Sequence, residues 1–246
     1  MKLKKVYNIL VANDDGIDGI GIHILAKALM KYGNVYVCAP NSARSASGHA
    51  IMLHKELMFE KVNKIDGAIC YITDGMPADC VRLATSVLDV DFDLVVSGVN
   101  NGLNVGTDVI YSGTVAAARE AYIEGYNSIA ISTDAGSFDI VNNELDNVLE
   151  YVINNHLYSK EYILNINFPT KDFSKSKGVK WSHQGIKNFK THFKMLDNGK
   201  YIEFDDSILL DKDQESDVYL SINGYISLVP LGIDQTNYDK LKRVKG

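Results

Sequence analysis

The stretch "ILVANDDGID", Ile9–Asp18, joins a short apolar run to two adjacent carboxylates, Asp14 and Asp15. The run from Ile9 to Ala12 is rich in residues that favour β-strands, so it predicts a short buried strand. Two like charges at the end of such a strand repel each other and raise each other's pKa. We therefore expect a partner that compensates them, and the nature of that partner bears directly on function.

Strand-like runs alternate with helix-like runs along the first two thirds of the chain. The predicted strands cover residues 9–12, 35–39, 94–96, 129–131 and 163–166, and the predicted helices begin near residues 20, 77, 114 and 142. Gly33 is suited to end the first helix, and Pro77 is suited to the first turn of the second. Strands that are apolar throughout and alternate with helices favour an α/β fold, with a mostly parallel sheet and helices on both faces.

Ligands of such sheets bind at the carboxyl ends of the strands. Asp14 and Asp15 fall at this edge, together with the loops that follow Pro40 and Ser97. We therefore expect the functional site there.

The character of the chain changes after Phe168. Residues 171–200 are polar and rich in lysine, residues 205–217 are acidic, and residues 219–231 are strand-like around Asn223-Gly224, a hairpin-turn signal. We predict two parts: residues 1–170 form the α/β core with the site, and residues 171–246 form a β-rich C-terminal extension that serves as an oligomerisation arm.

The composition excludes several classes of protein. The 246 residues carry a net charge of −6, which disfavours DNA or RNA as a bulk ligand. The three cysteines, Cys38, Cys70 and Cys80, lie in apolar surroundings and are expected to be reduced core residues. The basic start lacks a small-residue cleavage site, and no run approaches the ~20 apolar residues of a membrane span. We expect a soluble cytoplasmic protein with no membrane partner.

The pair Asp14-Asp15 has two interpretations. An aspartate in a strand-to-helix loop often caps the following helix. Two adjacent aspartates exceed what a cap needs, whereas a hard divalent cation would remove their repulsion. Mg²⁺ or Mn²⁺ fits oxygen ligands better than a soft metal does.

A second loop, "APNSARSASGHAI" at residues 39–51, is small and polar and follows a predicted strand. It is either a solvated loop or a loop that binds an anion or a metal through Arg44 and Ser45. His49 is a candidate proton donor, although a single loop histidine is more often structural.

A third stretch, "SGVNNGLNVGTDVIYSGTVAAARE" at residues 97–120, interleaves glycines with Asn100, Asn104 and Asp108. Their four-residue spacing resembles one face of a helix, but asparagine and glycine are poor helix formers, so a glycine-rich loop is favoured. Ser112-Gly113-Thr114 then begins an alanine-rich helix whose free N–H groups offer an anion site, unless the hydroxyls only cap the helix. A cation held by carboxylates beside an anion site is suited to phosphoryl-group chemistry.

These stretches together resemble the SurE family, the survival-protein-E nucleotidases. The resemblance covers nearly the whole chain and rests on NDDGI, RSASGH, GMPADCV, SGVNNGLNVGTDVIYSGTVAAA and GYISLVPL. Ala43 and Ala121 depart from the Glu and Gly that are frequent in the family. The family tends to have a short helix before GYISLVPL, which conflicts with the hairpin at Asn223-Gly224.

The resemblance implies a Rossmann-like core, a C-terminal extension exchanged between subunits, and a homodimer or homotetramer. It implies a metal-dependent phosphatase, a 5'-nucleotidase that acts on nucleoside monophosphates and uses one divalent ion, Mg²⁺ or Mn²⁺, per subunit. Three roles are implied, and some residues serve in more than one: metal ligands Asp14, Asp15, Ser45 and Asn100; phosphate-binding residues Asn100, Asn104, Ser112, Gly113 and Thr114; and catalytic residues Asp14, Asp15 and Asn104.

Two other functions are alternatives. A regulatory protein that binds nucleotides without hydrolysis would use the same pocket. A dinucleotide-dependent oxidoreductase is disfavoured, because Gly19 and Gly21 form a GxG but Ile24 stands where the third glycine belongs. A phosphate-binding P-loop is excluded because no GxxxxGK[ST] occurs.

Overall fold

A computed structural model describes residues 6–245. The basic start at residues 1–5 lies outside the described residues. The strands are β1 (Tyr7–Ala12), β2 (Gly33–Pro40), β3 (Glu60–Val62), β4 (Ile69–Thr73), β5 (Leu94–Asn101), β6 (Ser128–Thr133), β7 (Ile163–Asn167), β8 (Val179–Trp181), β9 (Lys187–Met195), β10 (Tyr201–Leu210) and β11 (Ile226–Leu231). The helices are α1 (Ile20–Leu29), α2 (Pro77–Val87), α3 (Asp108–Tyr111), α4 (Gly113–Ile123), α5 (Phe138–Asn154), α6 (Asp217–Ile222) and α7 (Tyr238–Lys245).

The described residues form one large sheet with the strand order β3-β4-β2-β1-β5-β6-β7-β11-β8. The six strands from β4 to β7 in this order are mutually parallel. Counted by themselves along the chain, they follow the 3-2-1-4-5-6 order of a Rossmann fold. The α/β class and the Rossmann-like core predicted from the sequence are confirmed.

Helices cover both faces of this sheet. Along β1, Ile9 and Val11 pack into a cluster with α1 and α5, whereas Leu10 and Ala12 pack into a second cluster with α2 and α4. The alternation follows from the two-residue period of a strand, whose successive side chains point to opposite faces. A strand that is apolar at every position is therefore what a doubly covered sheet requires.

Gly33 does not end the first helix, so that prediction from the sequence is wrong. The helix α1 ends at Leu29, before Gly33, which instead begins β2. A Cβ at Gly33 would lie 1.9 Å from the carbonyl oxygen of Tyr7, so the close approach of β2 to the start of β1 requires glycine. The helix predicted from residue 142 begins earlier, at Phe138.

The hairpin predicted at Asn223-Gly224 is wrong. Ser216 caps α6 by accepting a hydrogen bond from the N–H of Tyr219, and Asn223 and Gly224 follow its last turn. Gly224 has a φ of +89°. Asparagine and glycine with positive φ end helices as readily as they form tight hairpin turns, so the dipeptide alone does not distinguish the two.

The part of the chain after residue 170 contributes directly to the main sheet. The strand β11 pairs antiparallel with β7, and β8 pairs parallel with β11. The strands β9 and β10 form a separate two-stranded antiparallel sheet. The division at residue 170 thus stays a prediction about domains, while the sheet itself runs across it.

All three cysteines are free and buried, as expected. Within residues 6–245, no helix is long and apolar enough to cross a membrane.

The packing of α1 on β5 yields a prediction about Gly21. A Cβ at this position would lie 1.8 Å from the carbonyl oxygen of Val99. We expect Gly21→Ala to lower the free energy of unfolding by about 3 kcal/mol, at the upper end of overpacking costs, although alanine otherwise favours a helix. Urea denaturation measures this. Gly232→Ala is the control, because a Cβ there meets nothing within 4 Å; equal stability of the two variants would contradict the packing.

Candidate active site

A small pocket lies where the strand order reverses, at the carboxyl ends of β1 and β5. It has a volume of about 240 Å³, and we call it the carboxylate pocket. Its lining residues are Asp14, Asp15, Ser45, Ala46, Asn100, Asn101, Leu103, Asn104, Asp108, Tyr111 and Ser112. A larger groove of about 650 Å³ between α1 and α5 contains none of the predicted site residues. The chemistry of the side chains therefore selects the smaller pocket.

Asp14 is the most deeply buried acid of the pocket, with 4% of its surface exposed. The hydroxyl of Thr114 donates a hydrogen bond to its Oδ1. Burial raises the pKa of Asp14 to about 6, the Thr114 bond opposes that rise, and the charge of Asp15 adds to it. The first turn of α4 faces this carboxylate, and a helix N-terminus stabilises negative charge.

Asp15 lies beside it and is less buried. Its Oδ2 accepts a hydrogen bond of 3.2 Å from the backbone N–H of Asn101, while burial raises its pKa. Among the described residues, no cationic side chain forms an ion pair with Asp14 or Asp15. The helix α1 begins at Ile20 with Gly19 as its N-cap and no side-chain cap, so neither aspartate serves as a helix cap.

The loop after β2 brings Ser45 to the pocket. The N–H of Arg44 donates to the carbonyl of Asp14 at 2.7 Å, and the N–H of Gly48 donates to the carbonyl of Tyr111 at 2.9 Å. His49 then bonds Glu120 of α4, with 2.6 Å between Nε2 and Oε2. These bonds fix the loop on both sides of Ser45.

His49 therefore has a structural partner outside the pocket. Glu120 also pairs with Arg82, with 3.5 Å between Glu120 Oε1 and Arg82 Nε. Arg82 in turn pairs with Asp79, with 3.2 Å between Nη1 and Oδ1. The imidazole of His49 thus belongs to a network with side chains of α2 and α4, and it does not line the carboxylate pocket. The structural interpretation of His49 is the one that its contacts favour.

Ser112 and Thr114 at the start of α4 have different partners, and the helix-cap interpretation holds for Ser112. Ser112 is the N-cap, because its Oγ accepts the N–H of Val115 at 3.0 Å. Thr114 gives its hydroxyl hydrogen to Asp14. A Cβ at Gly113 would lie 2.8 Å from both Asp14 Cβ and Ser47 Oγ, so only glycine permits this approach. Phosphate contacts of Ser112, Gly113 and Thr114 stay predictions.

The chain after residue 170 supplies contacts near the pocket, and those of Lys187 and Asp217 were missed by sequence reasoning. Lys187 pairs with Asp108 at 2.6 Å and compensates the third acid of the pocket. Asp217 accepts the N–H of Gly106 at 3.1 Å, and Gln184 donates to the carbonyl of Gly106 at 2.8 Å. A lysine and an aspartate so distant in sequence gave no local signal of these contacts.

The pocket offers oxygen ligands of the kind that a hard cation prefers. The amide nitrogen of Asn100 donates to the carbonyl of Gly102 at 2.7 Å, and its Oδ1 is the atom that can bind a cation. Two carboxylates and the Ser45 hydroxyl complete the set. Residues 6–245 hold no cluster of three or more His, Cys, Asp or Glu suited to a metal. A cation here would rely on two acids and neutral oxygens, which suits an ion that keeps part of its water shell.

The chain is similar to known proteins along nearly its whole length. A family described as "Survival protein SurE" matches residues 9–191. A protein of Alkaliphilus metalliredigens (strain QYMF), named 5'-nucleotidase SurE, is 42% identical over 96% of this chain and 97% of its own length. A protein of Thermoanaerobacter sp. (strain X514) with the same name is 40% identical over 95% of both chains.

The crystal structure of the SurE protein from Aquifex aeolicus has a similar fold, with a TM-score of 0.79 and 33% identity over 97% of this chain and 98% of its own. The fold and the pocket define a Rossmann-like α/β protein with an acidic, amide-rich site at the switch point of its sheet. The matches extend along nearly the entire chain. The chain belongs to the SurE family.

The contact between His49 and Glu120 leads to a prediction about the Ser45 loop. Both side chains are partly buried, so we expect a double-mutant cycle with His49→Ala and Glu120→Gln to show a coupling of about 1 kcal/mol in the free energy of unfolding. His54→Ala, at an exposed position, is the control and should leave stability within about 0.5 kcal/mol. Additive effects of the two substitutions would show that the bond does not hold the loop.

Proposed function

We propose that this protein is a metal-dependent phosphomonoesterase, a 5'-nucleotidase that hydrolyses nucleoside monophosphates to nucleoside and phosphate, with 3'-nucleotides as a further substrate class. The observation that carries the proposal is the pairing of Asp14 and Asp15 in a small pocket without a cationic side-chain partner among the described residues. The names of the similar proteins support it.

The cofactor that we propose is one divalent ion per subunit, Mg²⁺ or Mn²⁺. Asp14, Asp15, Ser45 and Asn100 would hold it, because their oxygens share the carboxylate pocket. When bound, such an ion neutralises phosphate charge and activates water for attack on phosphorus.

Residues of the chain would handle the proton of the attacking water and bind the phosphoryl oxygens. Asp14 or Asp15 orients the attacking water and accepts its proton. Asn104 and the hydroxyl of Ser112 donate hydrogen bonds to the phosphoryl oxygens, where negative charge grows in the transition state. The N–H of Gly113 lies in the first turn of α4, where helix N–H groups lack an intrahelical partner. The ester P–O bond breaks as the water oxygen bonds to phosphorus, and the leaving oxygen takes up a proton from bulk water, so that the nucleoside leaves as an alcohol.

The size of the pocket bears on base recognition. Its volume of about 240 Å³ is below the ~300 Å³ lower limit of pockets that enclose a drug-sized ligand. We infer that the pocket encloses the phosphate and leaves the base outside. Tyr111 lies at the rim with 56% of its surface exposed, so it offers an aromatic surface to bases of either type.

Assembly is part of the proposal. We propose a homodimer or homotetramer in the cytoplasm, with the extension of residues 171–246 exchanged between subunits. The hairpin of β9 and β10 supports this, because it exposes large apolar side chains: Phe193, Met195, Tyr201 and Ile202. Exposed apolar groups concentrated on one element are typical of interaction surfaces.

The first test of the function replaces the two acids. Asp14→Asn and Asp15→Asn each remove a negative charge that a cation needs. We therefore expect the rate of phosphate release from AMP with Mn²⁺ or Mg²⁺ to fall by more than about 100-fold. Replacing residues that only support metal ligands costs up to about 100-fold, and loss of a ligand should cost more. Asp18→Asn is the matched control, because Asp18 lies in the same loop but pairs with Lys64 at the surface.

The outcomes separate the two functions that share this pocket. Phosphate release from the unmodified protein supports the nucleotidase. Tight metal-assisted binding of AMP without release would instead support a nucleotide-binding regulatory protein. Full activity of Asp14→Asn would show that the reaction occurs elsewhere.

The second test concerns assembly. We expect Phe193→Glu to reduce the mass measured by light scattering toward that of a monomer, because a charge would have to be buried in the subunit contact. Val87→Glu is the control, since Val87 has a similar exposure of 58%, against 63% for Phe193, but lies on α2. An unchanged mass for Phe193→Glu would place the subunit contact away from this hairpin.

A further inference from the structure

The strand β7 carries two buried asparagines, Asn165 and Asn167. Both have 0% of their surface exposed, although asparagine is depleted in strands because its side chain competes for backbone hydrogen bonds. They lie two residues apart, so both side chains leave the same face of the strand. Two polar side chains that share one buried face need partners there, because an unpaired buried amide is costly.

Their partner is the backbone of Asn104. The Oδ1 of Asn167 accepts the N–H of Asn104 at 2.8 Å, and its Nδ2 donates to the carbonyl of Asn104 at 3.1 Å. The Nδ2 of Asn165 donates to the same carbonyl at 2.9 Å. Both backbone polar groups of Asn104 are thus bound by side chains of β7.

The side chain of Asn104 is fixed as well. Its Nδ2 donates to the Oγ of Ser132 on β6 at 2.8 Å. One hydrogen of this amide nitrogen is used in that bond, and the second is left for a ligand. Asn104 is nearly buried, yet it lines the carboxylate pocket.

The segment that carries Asn104 has little regular structure of its own. Residues 102–107 connect β5 to α3, and the segment includes Gly102 with a φ of +156° and Gly106 with a φ of +54°. Glycine gives the backbone of such a loop many alternatives, so contacts from outside must select one of them. The three bonds from β7 act at Asn104 itself.

We propose that Asn167 and Asn165 are positioning residues for the reaction: they hold the backbone of Asn104 so that its amide faces the phosphate. The inference rests on the proposed function of Asn104. Neither asparagine lines the pocket, so both act through Asn104. Asn167, which binds both backbone groups, has the larger effect, and Asn165, which binds one, has the smaller.

The experiment compares kcat, KM and Mn²⁺ affinity of the full-length protein and its variants, with AMP as substrate. We expect Asn167→Ala to lower kcat by about 10- to 100-fold, as small misplacements of catalytic groups do. We expect Asn165→Ala to lower it by about 5-fold, the value of one hydrogen bond. Mn²⁺ affinity, measured by calorimetry, should stay within about 2-fold of wild type, because Asn104 is outside the proposed cation ligands.

The matched control is Asn127→Ala. Asn127 also donates a side-chain hydrogen bond to a backbone carbonyl, that of Asp93 at 2.9 Å, but it lies just before β6 at the opposite edge of the sheet. It should lose stability without losing kcat. A kcat of Asn167→Ala within 2-fold of wild type, or a parallel loss of Mn²⁺ affinity, would overturn the proposal.

A second measurement is independent of catalysis. Hydrogen exchange of the Asn104 N–H, followed by NMR, should be at least 10-fold faster in Asn167→Ala than in wild type, and unchanged in Asn127→Ala, since the bond that protects it is lost. If wild-type protein released no phosphate, the proposed function would fail, while the exchange rates would still decide whether Asn167 holds Asn104. Equal exchange in wild type and Asn167→Ala would overturn the positioning role.

Discussion

The site depends on two carboxylates that a buried strand brings together. Asp14 and Asp15 follow β1 directly, and desolvation raises the pKa of both. The protein compensates Asp14 in part, through the Thr114 hydroxyl and the first turn of α4, and it compensates Asp15 with one backbone N–H. These are partial charges, so they do not fully compensate two ionised carboxylates that lie side by side. A doubly charged cation among oxygen ligands is the simplest partner that would balance them, which is why the proposed chemistry follows from the electrostatics of this pair.

The order of the strands explains why the other site residues meet this pair. In a parallel sheet all strands end at one edge, and at the switch point the connections on either side of β1 and β5 leave in opposite directions. The resulting gap receives the loop with Ser45 from one side and the segment with Asn104 from the other. Neither residues 41–59 nor residues 102–107 contain a helix or a strand. Side-chain hydrogen bonds hold them in place: His49 bonds the side chain of Glu120 for the first loop, and the asparagines of β7 bond the backbone of Asn104 for the second.

The sequence predicted those features that repeat or are local. The apolar runs predicted five strands of the parallel sheet, because a strand covered on both faces must be apolar throughout. The paired acids predicted the pocket. Contacts between distant parts of the chain were beyond such patterns: the bonds from Asn167 to Asn104 join residues 63 positions apart. Alternate asparagines in an otherwise apolar strand were a visible signal of a buried polar partner. Asn223-Gly224 failed as a hairpin signal because a helix end needs the same positive φ.

The chain after residue 170 contacts the segment that lines the carboxylate pocket. Lys187 compensates Asp108, and Asp217 and Gln184 bind both backbone groups of Gly106, two residues beyond Asn104. Lys187 is also the first residue of β9, whose hairpin exposes the apolar side chains proposed to contact another subunit. The hairpin is therefore connected to the pocket through its neighbours' contacts with residues 106–108. These contacts form within one chain, so the segment that presents the hairpin also holds the stretch that carries Asn104.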